Sequence, residues 1–174
     1  MTEDEVVDFV YSALQSGKGD IDDLNRVRIT NSTSDANGLG DLIGTWDFDL
    51  FKDDSRWNTH PGFMVDVAGG VRPDIIVRSK SGENRILIEA KGATGLRTPM
   101  ETSQVVRYFL HLLCTSLQTP NENTVAIRRA ILMAAPEEWY SDTKNAESWG
   151  HFVRTYTPLA TAFGITIGEV RFRS

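Results

Sequence analysis

The chain has 174 residues, 40% of them apolar and 24% charged, with a mean hydropathy of -0.27. That suffices for one domain with a core and excludes wholesale disorder and a fibrous repeat. A formal charge of -6 and a pI near 5.0 speak, as averages, against a simple basic nucleic-acid binder.

In chain order, Thr2-Glu3-Asp4-Glu5 has the form of a capping box, and Val6, Val7, Val10, Tyr11 and Leu14 follow at helical spacing, so a helix is expected over 3–15. Residues 20–27 suggest a second short helix, and residues 31–40, rich in Asn, Ser, Thr, Asp and Gly, a loop. Trp46, Phe48 and Leu50 alternate with aspartates as in a half-exposed strand; residues 53–62 are turn-rich; Phe63, Val65 and Val67 alternate again. Residues 74–78 and 85–91 form two strands around a polar turn. A helix is expected over 100–117 and a buried strand over 130–134. A helix over 148–163 should be interrupted or kinked at Pro158, and a last strand is expected over 165–172. Strands that pair first as hairpins, then a helix leading to a further strand, describe an α/β fold with a mixed central sheet flanked by helices.

The single cysteine, Cys114, excludes an internal disulfide and a cysteine-rich zinc site, and its apolar surroundings predict a buried thiol. No apolar run reaches the roughly 20 residues of a membrane span, and the acidic start is unlike a targeting peptide. A soluble, cytoplasmic protein without a membrane partner is the expectation.

The charge is unevenly distributed. Residues 1–71 hold 5 Lys/Arg against 14 Asp/Glu, residues 72–129 hold 9 against 5, and residues 130–174 hold 4 against 5. The centre is locally basic, and Arg72, Arg78, Lys80, Arg85, Arg97, Arg107, Arg128 and Arg129 suggest a phosphate-binding face there. Trp46 and Trp57 read as packing residues more readily than base-stacking ones, as do Trp139 and Trp149; His151 reads as structural.

Within that centre lies Arg72-Pro73-Asp74-Ile75-Ile76-Val77, followed by Leu87-Ile88-Glu89-Ala90-Lys91-Gly92. Strand alternation puts Glu89 and Lys91 on one face, with Asp74 at the start of the neighbouring strand. Two carboxylates, with the Ala90 carbonyl as a third oxygen, suit Mg²⁺, and a lysine beside them suits a developing negative charge. The plain alternative is a hairpin with charged ends on its solvent face. Further on, Gln104, Arg107, Tyr108 and His111 form one helical stripe, with apolar residues filling the rest.

Pro73-Asp74 with Glu89-Ala90-Lys91 resembles the motif of the PD-(D/E)xK nuclease superfamily. Gln104-Val105-Val106-Arg107-Tyr108 is similar to the Gln-x-x-x-Tyr motif of its RecB-like exonuclease branch. The resemblance spans about residues 62–117. It implies a restriction-endonuclease-like core and a metal-dependent DNA nuclease. Asp74, Glu89 and the Ala90 carbonyl would then serve Mg²⁺ or Mn²⁺, and Lys91 would assist hydrolysis. Gln104 and Tyr108 would help place the strand, and Arg72, Arg97 and Arg107 would contact phosphates. Family members carry further acids or a histidine upstream; Glu3, Glu5, Asp8, Asp66 and His60 are candidates here. One nuclease domain is expected over 1–174. Its core is at about 62–135, with an acidic helical region at about 1–45 and a helix–strand unit at about 145–174. The alternatives are a homodimeric sequence- or structure-specific endonuclease, an enzyme acting on RNA, and a non-catalytic nucleic-acid-binding protein on the same fold.

Overall fold

The computed structural model describes residues 1–15, 27–29, 47–52, 72–80, 85–92, 104–118 and 128–172. The loop expected over 31–40, the turn-rich stretch 53–62, the strand over 63–67, and the candidates His60, Asp66 and Arg97 lie outside the described residues, as do Trp46 and Trp57.

Helix α1 (Glu3–Gln15) begins as the capping box predicts. The Thr2 N–H donates to Glu5 Oε2 at 2.7 Å, and the Glu5 N–H donates to Thr2 Oγ1 at 3.3 Å. Val6, Val7, Val10 and Leu14 give it one buried stripe.

Six strands among the described residues form one mixed sheet. They are β1 (Val27–Ile29), β2 (Phe48–Lys52), β3 (Ile75–Ser79), β4 (Arg85–Ala90), β5 (Arg129–Pro136) and β6 (Ile165–Phe172). Their order is β1-β6-β5-β4-β3-β2. β4, β5 and β6 are parallel, while β3 lies antiparallel to β4, β2 to β3, and β1 to β6. The parallel connections are made by helices, as such crossovers require. Helix α2 (Gln104–Gln118) joins β4 to β5; helices α3 (Glu137–Ser141) and α4 (Thr143–Ala162) join β5 to β6. Residues 130–135 are buried throughout, the pattern of a central strand covered on both faces. The fold is therefore α/β, with the sheet flanked by helices.

Two cores lie on the two faces. On one, α1 packs against Ile75, Val77, Ile86, Ile88, Leu132 and Ala134. On the other, α2 and α4 pack Val105, Tyr108, Phe109, Trp149 and Phe152 over Leu87, Ile131 and Ile167. Trp149 stacks on Phe152 with ring centroids 5.2 Å apart, and Phe109 meets Tyr156 at 5.0 Å. Trp139 and Trp149 are thus packing residues.

Several expectations need correction. Val27 opens a strand, Val27–Ile29, because the open edge of β6 offers pairing from Gly168 to Val170 that overrides local propensity; the rest of the helix expected over 20–27 lies outside the described residues. Pro158 lies inside a continuous α4, which starts earlier than expected, at Thr143. Pro158 is exposed and forgoes one backbone bond, while Trp149, Phe152 and Ala160 hold the helix to the sheet on either side of it. His151 is exposed on α4, and Cys114 is half-buried on α2. No helix among the described residues is long and apolar enough to cross a membrane.

Gly92, just beyond β4, is where the sheet meets α1. A Cβ there would sit 2.4 Å from the Glu3 backbone nitrogen and 2.6 Å from the Thr2 carbonyl carbon, atoms that cannot rotate away. Gly92→Ala is therefore expected to destabilise the protein by about 1–3 kcal/mol, the usual cost of overpacking, measured by urea unfolding. A conservative change at exposed Leu117 should stay within about 0.5 kcal/mol.

Candidate active site at the carboxyl end of β4

Asp74, Glu89 and Lys91 meet at the carboxyl end of β4. The last β3–β4 residue pair is Ile75–Ile88. Beyond it the Asp74 side chain takes over from the backbone, and its Oδ2 accepts the Ala90 N–H at 2.7 Å. Alternation places Ala90 in the α1-side core and Glu89 on the α2 face, beside Leu87. The Lys91 N–H donates to the Ala134 carbonyl at 2.9 Å, which fixes its backbone against β5. Its ammonium donates to Glu89 Oε1 at 2.7 Å and reaches Glu3 Oε2 at 3.5 Å.

Glu3 is thus the upstream acid that joins the site. Glu5 is occupied by the capping box, and Asp8 pairs with Lys52 of β2. The tight approach of Gly92 to the start of α1 sets this arrangement.

Glu89 is 2% exposed, and its Oε2 is buried with no hydrogen-bond partner. Burial first, then the Asp74 charge, push its pKa up to about 8, against the pull of Lys91 and of the Tyr108 hydroxyl. Burial also raises Asp74, opposed by its bond from Ala90. Burial disfavours the Lys91 ammonium, but Glu89, Glu3 and Asp74 together outweigh that and raise its pKa. Lys91 thus has the Glu89 and Glu3 carboxyls within 4 Å and Asp74 nearby, and the raised pKa values of Glu89 and Asp74 show how little the one ammonium offsets their burial.

Tyr108 lies fully buried over this end of the sheet, and its hydroxyl donates to the Arg72 carbonyl. Burial, Glu89 and Asp74 raise its pKa, so it stays a phenol. It anchors the backbone leading into Asp74 and is not exposed to a strand of DNA. Gln104 is half-buried one turn earlier and makes no hydrogen bond to the carboxylates among the described residues.

Among the described residues the basic centre is divided between the two ends of β4. Arg72 is exposed two residues before Asp74, and Arg107 is half-buried on α2. Arg78, Arg85 and Arg129 lie in neighbouring positions at the opposite end of β4. Strand direction thus separates arginines that composition groups together: Arg78, Arg85 and Arg129 lie away from the motif, while Arg72 stays beside it.

One constellation went unrecognised in the sequence. Glu169 sits in the same sheet row as Glu89, with Met133 between them. It accepts from Trp149 Nε1 at 2.7 Å and pairs with Arg171 at 2.7 Å. The signal was available, since Glu169-Val170-Arg171 repeats the spacing of Glu89-Ala90-Lys91. Both Glu169 oxygens are taken, so it is a structural counterpart with no open donor. A cavity of about 240 Å³ adjoins it between α4 and β6.

No family model, curated protein or solved structure matches the chain. Among the described residues no group of three or more His, Cys, Asp or Glu side chains gathers as a metal cage. The two-carboxylate set still fits Mg²⁺, which commonly takes one or two protein carboxylates and keeps several waters. The unpartnered, buried Glu89 Oε2 is the specific observation behind that fit.

A carboxyl whose pKa is raised on folding favours the folded state most when it is protonated. Stability should therefore fall as pH rises from about 4.5 to about 8, by up to about 1.4 kcal/mol per pH unit, and level off above that. Asp74 acts in the same direction. In metal-free urea titrations, Glu89→Gln is expected to flatten this slope; an unchanged slope would remove Glu89 as its source.

Proposed function

We propose that the chain is a Mg²⁺- or Mn²⁺-dependent phosphodiesterase acting on DNA, built on a restriction-endonuclease-like core. The observation that carries this reading is the buried, unpartnered oxygen of Glu89 beside Asp74, with Lys91 held against it. Such a group is costly to bury and is accounted for if it receives a cation. Asp74 and Glu89 would hold the ion. When bound, it supplies charge neutralisation at the phosphate and a more acidic water.

The chain's own residues do the rest. Lys91, kept charged by Glu89 and Glu3, presents an ammonium where negative charge grows on the phosphoryl oxygens. Asp74 holds the Ala90 N–H and so sets the position of Glu89 relative to β3. Tyr108 fixes the Arg72 segment, which offers an exposed guanidinium to a flanking phosphate. Exonuclease-like degradation rests on the sequence likeness of Gln104 and Tyr108 alone, since Tyr108 is buried and engaged by the Arg72 carbonyl; a homodimeric endonuclease is its rival, and product lengths separate them.

With Mg²⁺ or Mn²⁺, purified protein should cleave linear or single-stranded DNA. Asp74→Ala and Lys91→Ala should each lower the rate about 10²–10⁴-fold, the range for positioned charge and proton-transfer groups. Inert wild type, or undiminished cleavage by Asp74→Ala, overturns the reading. A non-catalytic nucleic-acid-binding role is favoured by one observation, the short Lys91–Glu89 bond that closes part of the site. It requires that calorimetry find no Mg²⁺ or Mn²⁺ binding.

A further inference from the structure

Three neighbouring strands each place an arginine in the same row at the end of the sheet away from Glu89. Arg78 of β3 is the register partner of Arg85 of β4, and Arg85 is the partner of Arg129 of β5. Alternation puts all three on the α2 face, in line with Ile76, Leu87 and Ile131 of that core. Arg129 is 6% exposed, and Arg78 and Arg85 are half-buried. Arg85 lies four positions before Glu89 on β4, about 13 Å along the strand. The row is therefore distinct from the carboxylate site.

The surroundings of Arg85 point to a ligand. Its Nη1 lies 3.2 Å from Nε2 of His111, a fully buried residue of α2. Its Nε is buried with no hydrogen-bond partner. Burial first, then the charges of Arg78 and Arg129, lower its pKa. Like charges opposite one another across strands destabilise a sheet. Among the described residues the row carries one carboxylate, Asp49, the register partner of Arg78. Arg78 is held in place by stacking on Phe51, with its guanidinium carbon 4.9 Å from the ring centroid. Convergent guanidinium groups, with one N–H unused, are the donor set that recognises a tetrahedral oxyanion through paired hydrogen bonds.

We propose that Arg78, Arg85 and Arg129, with His111, form a second site that binds a phosphate group. The occupant is inorganic phosphate or the terminal phosphate of a monoester, entering past the half-buried Arg78 and Arg85. The site does not depend on the metal site or on nuclease activity.

The test is isothermal titration of full-length protein with inorganic phosphate and, separately, with adenosine monophosphate. A chelator is present throughout and ionic strength is matched with chloride. Saturable binding of one phosphate, or of one monophosphate, per chain is expected. Arg85→Gln removes a charge-assisted donor to the phosphate and should weaken binding about tenfold or more. Arg78→Gln, at the rim of the row, is a second variant should Arg85→Gln fail to fold. If neither probe binds saturably above chloride, or if affinity is unchanged in folded Arg85→Gln and Arg78→Gln proteins, the proposal is overturned. Binding by adenosine monophosphate alone identifies an ester as the ligand, and binding by both identifies the bare phosphate group.

Discussion

Burial of the Glu89 carboxylate is the constraint around which the rest is arranged. A carboxylate in an apolar core is costly unless neighbouring groups compensate it. Here the compensation is partial: one oxygen holds the Lys91 ammonium, and the other meets no donor at hydrogen-bond geometry, with the Tyr108 hydroxyl nearby. Lys91 is in turn fixed by its backbone bond to β5 and by Glu3 from α1. Asp74 is fixed by the Ala90 N–H. Sheet register, the docking of α1 and the seating of Tyr108 all contribute to one small polar cluster inside an otherwise apolar sandwich.

This arrangement stores destabilisation where chemistry is proposed to occur. A protein under selection for stability alone would gain from an apolar residue at position 89, since replacing buried charges with well-packed apolar groups is often neutral or favourable. Glu169 shows the contrast. It sits in the same row of the same sheet, and both of its oxygens are satisfied by Trp149 and Arg171. Two glutamates with the same local sequence spacing thus have different roles, and the difference lies in what the helix above each one supplies. Over Glu169, α4 supplies an indole N–H; over Glu89, α2 supplies a phenol that it shares with the Arg72 carbonyl.

Much of this was legible in the sequence, for identifiable reasons. The capping box of α1, the hairpin strands around Asp74 and Glu89, and the buried run in β5 are local signals, and local signals survive into the fold. The meeting of Asp74, Glu89 and Lys91 followed from strand alternation and hairpin pairing alone. What was not legible is non-local. The choice of Glu3 over Glu5 and Asp8 depends on the contact of α1 with Gly92, nearly ninety residues away. The edge pairing of Val27–Ile29 depends on the last strand. The division of the arginines between the two ends of β4 depends on which strands are parallel, and no window of sequence carries that.

Chain separation also orders the assembly of the site in time. Asp74 and Ala90 are 16 residues apart in one hairpin, whereas Lys91 and Glu3 are 88 apart. Loop-closure entropy grows with length, and contacts close in sequence form faster than distant ones. The hairpin therefore gathers the carboxylates while water still surrounds them. Desolvation of Glu89 falls on the later step, when α2 lays Tyr108 over the sheet and β5 pairs beside β4. The electrostatic penalty of the site thus comes from this long-range packing and not from the hairpin. Amino-acid changes at position 89 act on packing formed after most of the local structure is in place.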